Sequence, residues 1–331
     1  MTVISSGTSS PGIALLGYGA IAGMHASALR DLGARIEVVA GPNSDELQAF
    51  AARHEIERWT VNVDQALELV SVGAVVIASP SQLHPEQVRA AIDAGHDVLC
   101  EIPLALSAAD AESLVTQAAA NKRVLMVCHT LRYYEPFEVA HVAMKQAELE
   151  PISVVARFLW LRHSNIGWTG RRRSWTDNLL WHHGGHVVDA VLGLLDASEA
   201  DVTSVVGRVW EGSRLPMDYG IVLRVPSGAV ATISLSYSAR IAVDDYLVIG
   251  DQDMIEIAGP RVRNSQGPIF DGQDMASVLA RGVLEQDRDF IGATTSRAAP
   301  RADARTVLPA MRILQQVHDH AVAQTFDKPA S

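Results

Sequence analysis

Short apolar runs alternate with segments of helical period through the first 130 residues. Gly12–Leu16, Ile36–Ala40, Ala74–Ala78, Val98–Cys100 and Val124–Cys128 read as buried strands, too short and too uniformly apolar for amphipathic helices. Between them, apolar positions recurring every three or four residues predict helices over Ala20–Leu32, about 45–54, about 86–94, and one ending at about Ala120. Ser107 and Asp110 form the capping pair that opens the last of these. Strictly alternating strand and helix implies a parallel sheet covered on both faces.

Past about residue 148 the pattern becomes strand-rich. Ile152–Leu161, Val202–Val209, Tyr219–Val225, Ala229–Ser236 and Tyr246–Ile249 read as strands, with Pro226-Ser227-Gly228 as a hairpin turn. Helices are predicted over His183–Leu195 and Asp303–Ala323, where Pro309 marks a kink or a later start. The expected fold is α/β: a nucleotide-binding half over 12–130, then a domain over 131–331 built on a large, mostly antiparallel open sheet. Residues 1–11, rich in Ser, Thr and Gly, are expected to be a flexible tail rather than a leader or an anchor.

Composition narrows the function classes. A chain of 331 residues fits two domains, and 48% hydrophobic with 20% charged residues is an ordinary globular balance. A net charge of −11 argues against nucleic acid or an acidic membrane surface as partner. No uncharged apolar run reaches the length of a membrane span. Two cysteines, Cys100 and Cys128, make no disulfide framework and read as inert core thiols in a reducing, cytoplasmic setting.

The turn Gly17-Tyr18-Gly19-Ala20-Ile21-Ala22 carries the G-x-G-x-x-A fingerprint between a strand and a helix, the context that gives the pattern meaning. Gly17 allows the tight turn, Gly19 lets a pyrophosphate approach the backbone, and Ala22 keeps the helix close to the strand. The second strand ends Ala40-Gly41-Pro42-Asn43-Ser44 with no acid for a ribose, and Glu37 lies too early in it. The reading is therefore NADP, with Asn43 and Ser44 as donors to a 2′-phosphate and NAD as the alternative.

A second cluster lies far from that turn. Arg171–Arg173, Trp175, Trp181, His182, His183 and His186 fall close together, and His182, His186 and Asp189 have the spacing of one helical face. Between Pro151 and Thr176 stand Arg157, Arg162, Arg171, Arg172 and Arg173 with no acid. Arginine forks bind carboxylates and imidazole moves protons near neutral pH, so the expected substrate is a small ring-shaped anion. Trp168, Trp175 and Trp181 either stack on that ring or pack internally. His25, in the first helix, reads as a packing or surface residue. No metal site is expected, since His182 and His186 lack both the intervening Glu and a nearby cysteine.

In order and spacing, Gly17–Ala22, Ser79-Pro80-Ser81-Gln82-Leu83-His84, Glu101-Ile102-Pro103-Leu104 and His186-x-x-Asp189 resemble the Gfo/Idh/MocA oxidoreductases over nearly the whole chain. The resemblance implies a Rossmann domain, a second α/β domain whose open sheet forms a homodimer or homotetramer, and cofactor contacts at Gly17, Tyr18, Gly19, Ala20, Ile21, Ser79, Pro80, His84, Glu101 and Ile102. His84 could equally brace its own turn. Ile102 stands where the family carries a lysine, and His182 where it carries an aspartate; of that catalytic set His186 remains. The runs Glu101–Leu104, His129–Tyr133 and Arg173–His183 resemble one branch of the family. That branch implies oxidation of a cyclic hemiacetal dicarboxylate to a pyrone lactone in protocatechuate catabolism. His186 or His182 would be the base, and Arg132, Arg173, Trp175, Asn178 and His183 would hold the substrate. The alternatives are another sugar or aldehyde dehydrogenase of the family, or a regulator that binds NAD(P) without catalysis.

Overall fold

In a computed structural model of the chain the described residues are 11–166, 175, 178–211 and 213–326. Arg171, Arg172, Arg173 and Trp168 lie outside them. Two compact units result: one takes in the chain up to Glu101, Ser113–Cys128 and Val283–Asp303, the other Ile102–Glu112, His129–Gly282 and the chain from Ala304.

The first unit is built on β1 (Gly12–Leu16), β2 (Ile36–Ala40), β3 (Trp59–Thr60), β4 (Val72–Ile77), β5 (Asp97–Cys100) and β6 (Leu125–Val127). Its helices are α1 (Ala20–Asp31), α2 (Ser44–His54), α3 (Val63–Leu67) and α4 (His84–Asp93), with parts of α5 (Ala108–Ala120). The strands pair in parallel in the order β3-β2-β1-β4-β5-β6. That is the doubly wound dinucleotide-binding order, whose switch point lies between β1 and β4. Ile13–Leu16 and Ala74–Ile77 are fully buried, which is why these strands read as unbroken apolar runs. Ser107 Oγ accepts from the Asp110 amide at 3.1 Å, so the capping pair forms as its spacing predicts.

The second unit holds α6 (Glu135–Gln146), β7 (Pro151–Leu161), α7 (Gly185–Leu194), β8 (Asp201–Val206), β9 (Asp218–Arg224), β10 (Val230–Ser236) and β11 (Ser238–Gly250). There follow β12 (Met254–Ala258), β13 (Arg261–Asn264), β14 (Gly267–Asp271), α8 (Met275–Ser296), shared with the first unit, and α9 (Ala304–Phe326). The sheet runs β14-β13-β12-β11-β7-β10-β9-β8, antiparallel except where β7 meets β10. Pairing at Ala156↔Tyr246 and Ala156↔Ile233 lines up Val154, Ala156, Tyr246, Val248, Ala231 and Ile233 on one buried face. On the opposite face, register aligns Val205, Val222, Ile249 and Met254, which are exposed.

Several boundaries differ from the pattern reading. The strand expected at Tyr246–Ile249 extends back to Ser238, because its first half carries Arg240, Asp244 and Asp245, which break the apolar run. Pro309 sits inside a continuous α9 rather than at a later start. The helix expected from His183 opens with a π-helical turn, Leu180–Gly184, in which the Gly184 amide bonds the Leu179 carbonyl at 2.8 Å. A Cβ on Gly184 would meet Leu235 Cδ1 at 3.0 Å, so a larger residue there would push the Leu235 side chain aside. No helix among the described residues is long and apolar enough to cross a membrane.

Candidate active site

The nucleotide turn is shaped for a phosphate. Gly17 takes φ +116°, and a Cβ on it would lie 2.4 Å from the Ala78 carbonyl oxygen, so only glycine fits. A Cβ on Gly19 would meet nothing within 4 Å, and α1 begins there with no side chain capping its amides. Open space before uncapped helix amides is what a pyrophosphate needs. Tyr18 lies across the end of β2, its ring filling the place of a Gly41 side chain. Asn43, a candidate donor to a 2′-phosphate, caps α2 by accepting from the Glu46 amide at 3.2 Å. Ser44 Oγ points at Asp45, 3.4 Å away. Glu37 is buried early in β2 and pairs with Arg35, which removes it from the ribose question.

After β4, Ser79 Oγ donates to Gln87 Oε1 at 2.6 Å, and His84 Nε2 lies 3.0 Å from the Ser79 carbonyl. Thus His84, 1% exposed, braces the Ser79-Pro80 turn. Ser81 Oγ, in the same turn, is buried without a hydrogen-bond partner among the described residues.

Beneath Glu101 lies a cluster that pattern alone did not reveal. His25, expected to be a packing or surface residue, is fully buried: Nδ1 is 2.9 Å from Asp287 and Nε2 is 3.1 Å from Glu101. Burial disfavours an imidazolium, but the charges and hydrogen bonds of Asp287 and Glu101 outweigh it and push the His25 pKa up to about 10. Among the described residues, the side chains whose donor atoms could hold a metal ion are His25, Glu101 and Cys128, within 4.8 Å of one another. The imidazolium already supplies the positive charge there, with both ring nitrogens directed at carboxylates. Burial pushes both thiols, Cys100 and Cys128, well up, in keeping with inert core cysteines. Ile102, 6% exposed, is joined to Pro103 by a cis peptide bond.

The second unit gathers the imidazoles. Ring centroids run His129 to His186 at 5.8 Å, His186 to His182 at 6.4 Å, and His182 to His183 at 4.3 Å. The His182 ring, on the π-helical turn, and the His186 ring, on α7, meet at 89°. One end of the row is anchored by Asp189, 3.3 Å from His129 Nδ1. At the other, His183 Nδ1 lies 2.6 Å from the Tyr237 hydroxyl and its ring stacks on Phe158 at 4.2 Å.

Two expected substrate contacts have other partners. Arg132 gives its fork to Asp189, Nε to Oδ2 at 2.8 Å and Nη2 to Oδ1 at 2.5 Å, and further bonds to Thr306. Asn178 caps the following turn, Oδ1 accepting from Leu180 and Trp181 amides at 2.9 and 3.2 Å. Arg157, counted in the acid-free arginine run, pairs with Asp245 across the strand pair. Trp181 is buried beside His318 and packs internally. Trp175 faces Trp210 and Tyr237, each at 6.2 Å. Arg173 lies outside the described residues.

A dinucleotide-binding sheet with a phosphate-shaped turn in one unit, and a row of imidazoles in the other, define an NAD(P)-dependent oxidoreductase. Residues 12–129 match the family model described as "Oxidoreductase family, NAD-binding Rossmann fold", and residues 137–256 the one described as "Bacterial oxidoreductases, C-terminal". The chain belongs to the Gfo/Idh/MocA oxidoreductases. It is 29% identical over 322 residues to 4-carboxy-2-hydroxymuconate-6-semialdehyde dehydrogenase of Sphingobium sp. strain SYK-6, covering 92% of this chain and 97% of that one. It is also 32% identical over 138 residues to inositol 2-dehydrogenase 1 of Saccharopolyspora erythraea, covering 41% and 40% of the two chains. Its fold is that of the WlbA dehydrogenase from Bordetella pertussis, solved with NADH and UDP-GlcNAcA: TM-score 0.85, 19% identity, 96% and 97% of the two chains covered.

Proposed function

We propose that this oxidoreductase oxidises the cyclic hemiacetal of 4-carboxy-2-hydroxymuconate-6-semialdehyde to the lactone 2-pyrone-4,6-dicarboxylate, within aromatic catabolism. The observation that carries the reading is the row His129, His186, His182 and His183 in a chain with Ile102 where a family lysine would stand. The likeness to the Sphingobium dehydrogenase over 92% of the chain supports it.

The residue types suit that reaction. A hemiacetal carbon needs no cationic activation by lysine, because its ring oxygen stabilises the positive charge left as hydride departs. What it needs is a base for the hydroxyl proton, and imidazole titrates in the working range. His186 takes that proton, with His182 as the second candidate. The open space at Gly19 and the uncapped start of α1 fit a nicotinamide dinucleotide on Gly17, Tyr18, Gly19, Ala20 and Ile21. When bound, the dinucleotide supplies the hydride acceptor. Ser79, Pro80, His84, Glu101 and Ile102 are the proposed contacts to the rest of the dinucleotide. NADP is the first choice, with Asn43 and Ser44 at the 2′ position, and NAD the second. His183 and Trp175 stay on the substrate side. Arg132 and Asn178 move to supporting roles, Arg132 by orienting Asp189 and His129. Val205, Val222, Ile249 and Met254 on the open sheet face support assembly into a homodimer or homotetramer.

The test is to give the purified protein ring-cleaved protocatechuate with NADP, then NAD, and to follow reduced-cofactor absorbance alongside the pyrone product. Reduction with pyrone formation supports the reading. Reduction with inositol or an amino sugar instead, and none with the hemiacetal, replaces it.

A further inference from the structure

We propose that Arg162, held between Tyr237 and Asn165, is the carboxylate-binding subsite of this protein and selects planar ring acids. The inference deepens the proposed function by assigning the anion grip to a residue outside the arginine triplet.

Arginines 132 and 157 both have carboxylate partners within the chain. Arg162, half-buried at the end of β7, has none among the described residues. Its Nη1 donates to the Tyr237 hydroxyl at 3.2 Å and its Nη2 to Asn165 Oδ1 at 2.6 Å. Both partners are neutral, and they take two N–H groups of a guanidinium that carries five. The head is thus fixed in direction while, among the described residues, most of its donors and its charge lack a partner. A carboxylate accepts that fork in two bonds.

The surroundings specify the shape of the ligand. Tyr237, 1% exposed, lies under the guanidinium, its ring centroid 5.5 Å from Arg162 Cζ. The Tyr237 oxygen accepts from Arg162 and lies 2.6 Å from His183 Nδ1, which ties the guanidinium to the imidazole row. Trp175 flanks Tyr237 at 6.2 Å, and Trp160, 46% exposed, stacks in line with Phe158 and His183. Aromatic faces around a fixed fork favour a flat ring bearing a carboxylate over a puckered polyol.

The probe is isophthalate, a flat ring with two carboxylates in meta positions, with neutral isophthalamide as the control. Binding is read by tryptophan fluorescence of the full chain. Isophthalate should bind in the micromolar to millimolar range, weaken at least tenfold in Arg162→Gln, and weaken about tenfold between low and high salt in the wild type. Isophthalamide should bind the two proteins alike. Arg162→Lys, which keeps the charge without the fork, should fall between them and serves if the glutamine variant does not fold. Equal isophthalate affinity in wild type and variants, or a wild type that ignores isophthalate at all salt concentrations, overturns the subsite. If isophthalate binding depends on Arg162 while the hemiacetal is never oxidised, the subsite stands and the proposed reaction falls.

Discussion

Arg132 and Asp189 meet in a two-pronged ion pair, with Nε–Oδ2 at 2.8 Å and Nη2–Oδ1 at 2.5 Å. The aspartate is nearly fully buried and the arginine mostly so. Removing one partner would strand the other's charge away from water, at a cost of about 3 kcal/mol or more. Asp189→Asn should therefore lower unfolding free energy by that order in urea titration at pH 7. A change within about 0.5 kcal/mol would show that the pair has no structural weight.

The same aspartate sets an acid limit. Burial alone would raise its pKa, but His129 and Arg132 hold it well below the usual carboxylate range. A depressed carboxylate contributes stability above its unfolded value near 4 that is lost as pH falls toward its folded value. The stability difference between wild type and Asp189→Asn should shrink steadily below about pH 4. A difference that is constant down to pH 2.5 contradicts the assignment.

His25 sets the opposite limit. Its folded pKa near 10 exceeds the unfolded value of 6.5, so its stabilisation is complete below about pH 6.5 and disappears as pH rises through 10. His25→Gln leaves Glu101 and Asp287 facing each other without a cation and should cost about 3 kcal/mol at pH 6. At pH 10.5 the two proteins should unfold at similar denaturant concentrations. A penalty unchanged with pH means that the imidazole is held neutral.

Asp244, on β11, works against the fold at neutral pH. Burial first, and then the neighbouring Asp245, raise its pKa to about 6. Ionising it costs stability as pH rises from about 4 through 6, so Asp244→Asn should stabilise the protein by on the order of 1–2 kcal/mol at pH 7.5 and hardly at all at pH 4. Thermal midpoints at the two pH values check this. Destabilisation at pH 7.5 would refute it.

Gly19 separates binding from folding. Since a Cβ there meets nothing within 4 Å, Gly19→Val should leave the unfolding midpoint close to wild type. The added side chain fills the space before α1, and nicotinamide dinucleotide affinity by calorimetry should fall at least tenfold. Undiminished affinity would place the phosphates elsewhere.

The parts of the fold legible in the sequence are those decided by neighbouring residues. β1 and β2 are buried on both faces and end where their apolar runs end, and the Ser107–Asp110 cap closes over a separation of three residues. β12, β13 and β14 escaped notice because Glu256, Arg261 and Arg263 break their apolar pattern on the sheet's exposed side. The site was legible as a composition of histidine and arginine, but its wiring was not. Asp287 lies 262 residues from His25, and Asp189 lies 57 from Arg132; no local period encodes such pairings. Asn178 is different: an Asn placed just before a helical run is a capping signal, and its position should have outweighed its neighbours' chemistry.

The most direct measurement is a single turnover of the hemiacetal carrying deuterium on the carbon that bears the hydroxyl. The account predicts deuterium on the reduced nicotinamide, one equivalent of 2-pyrone-4,6-dicarboxylate, and a loss of at least a hundredfold in that step in His186→Ala with substrate affinity little changed. Unlabelled reduced cofactor, no pyrone, or an undiminished rate in a His182→Ala, His186→Ala double variant would contradict it.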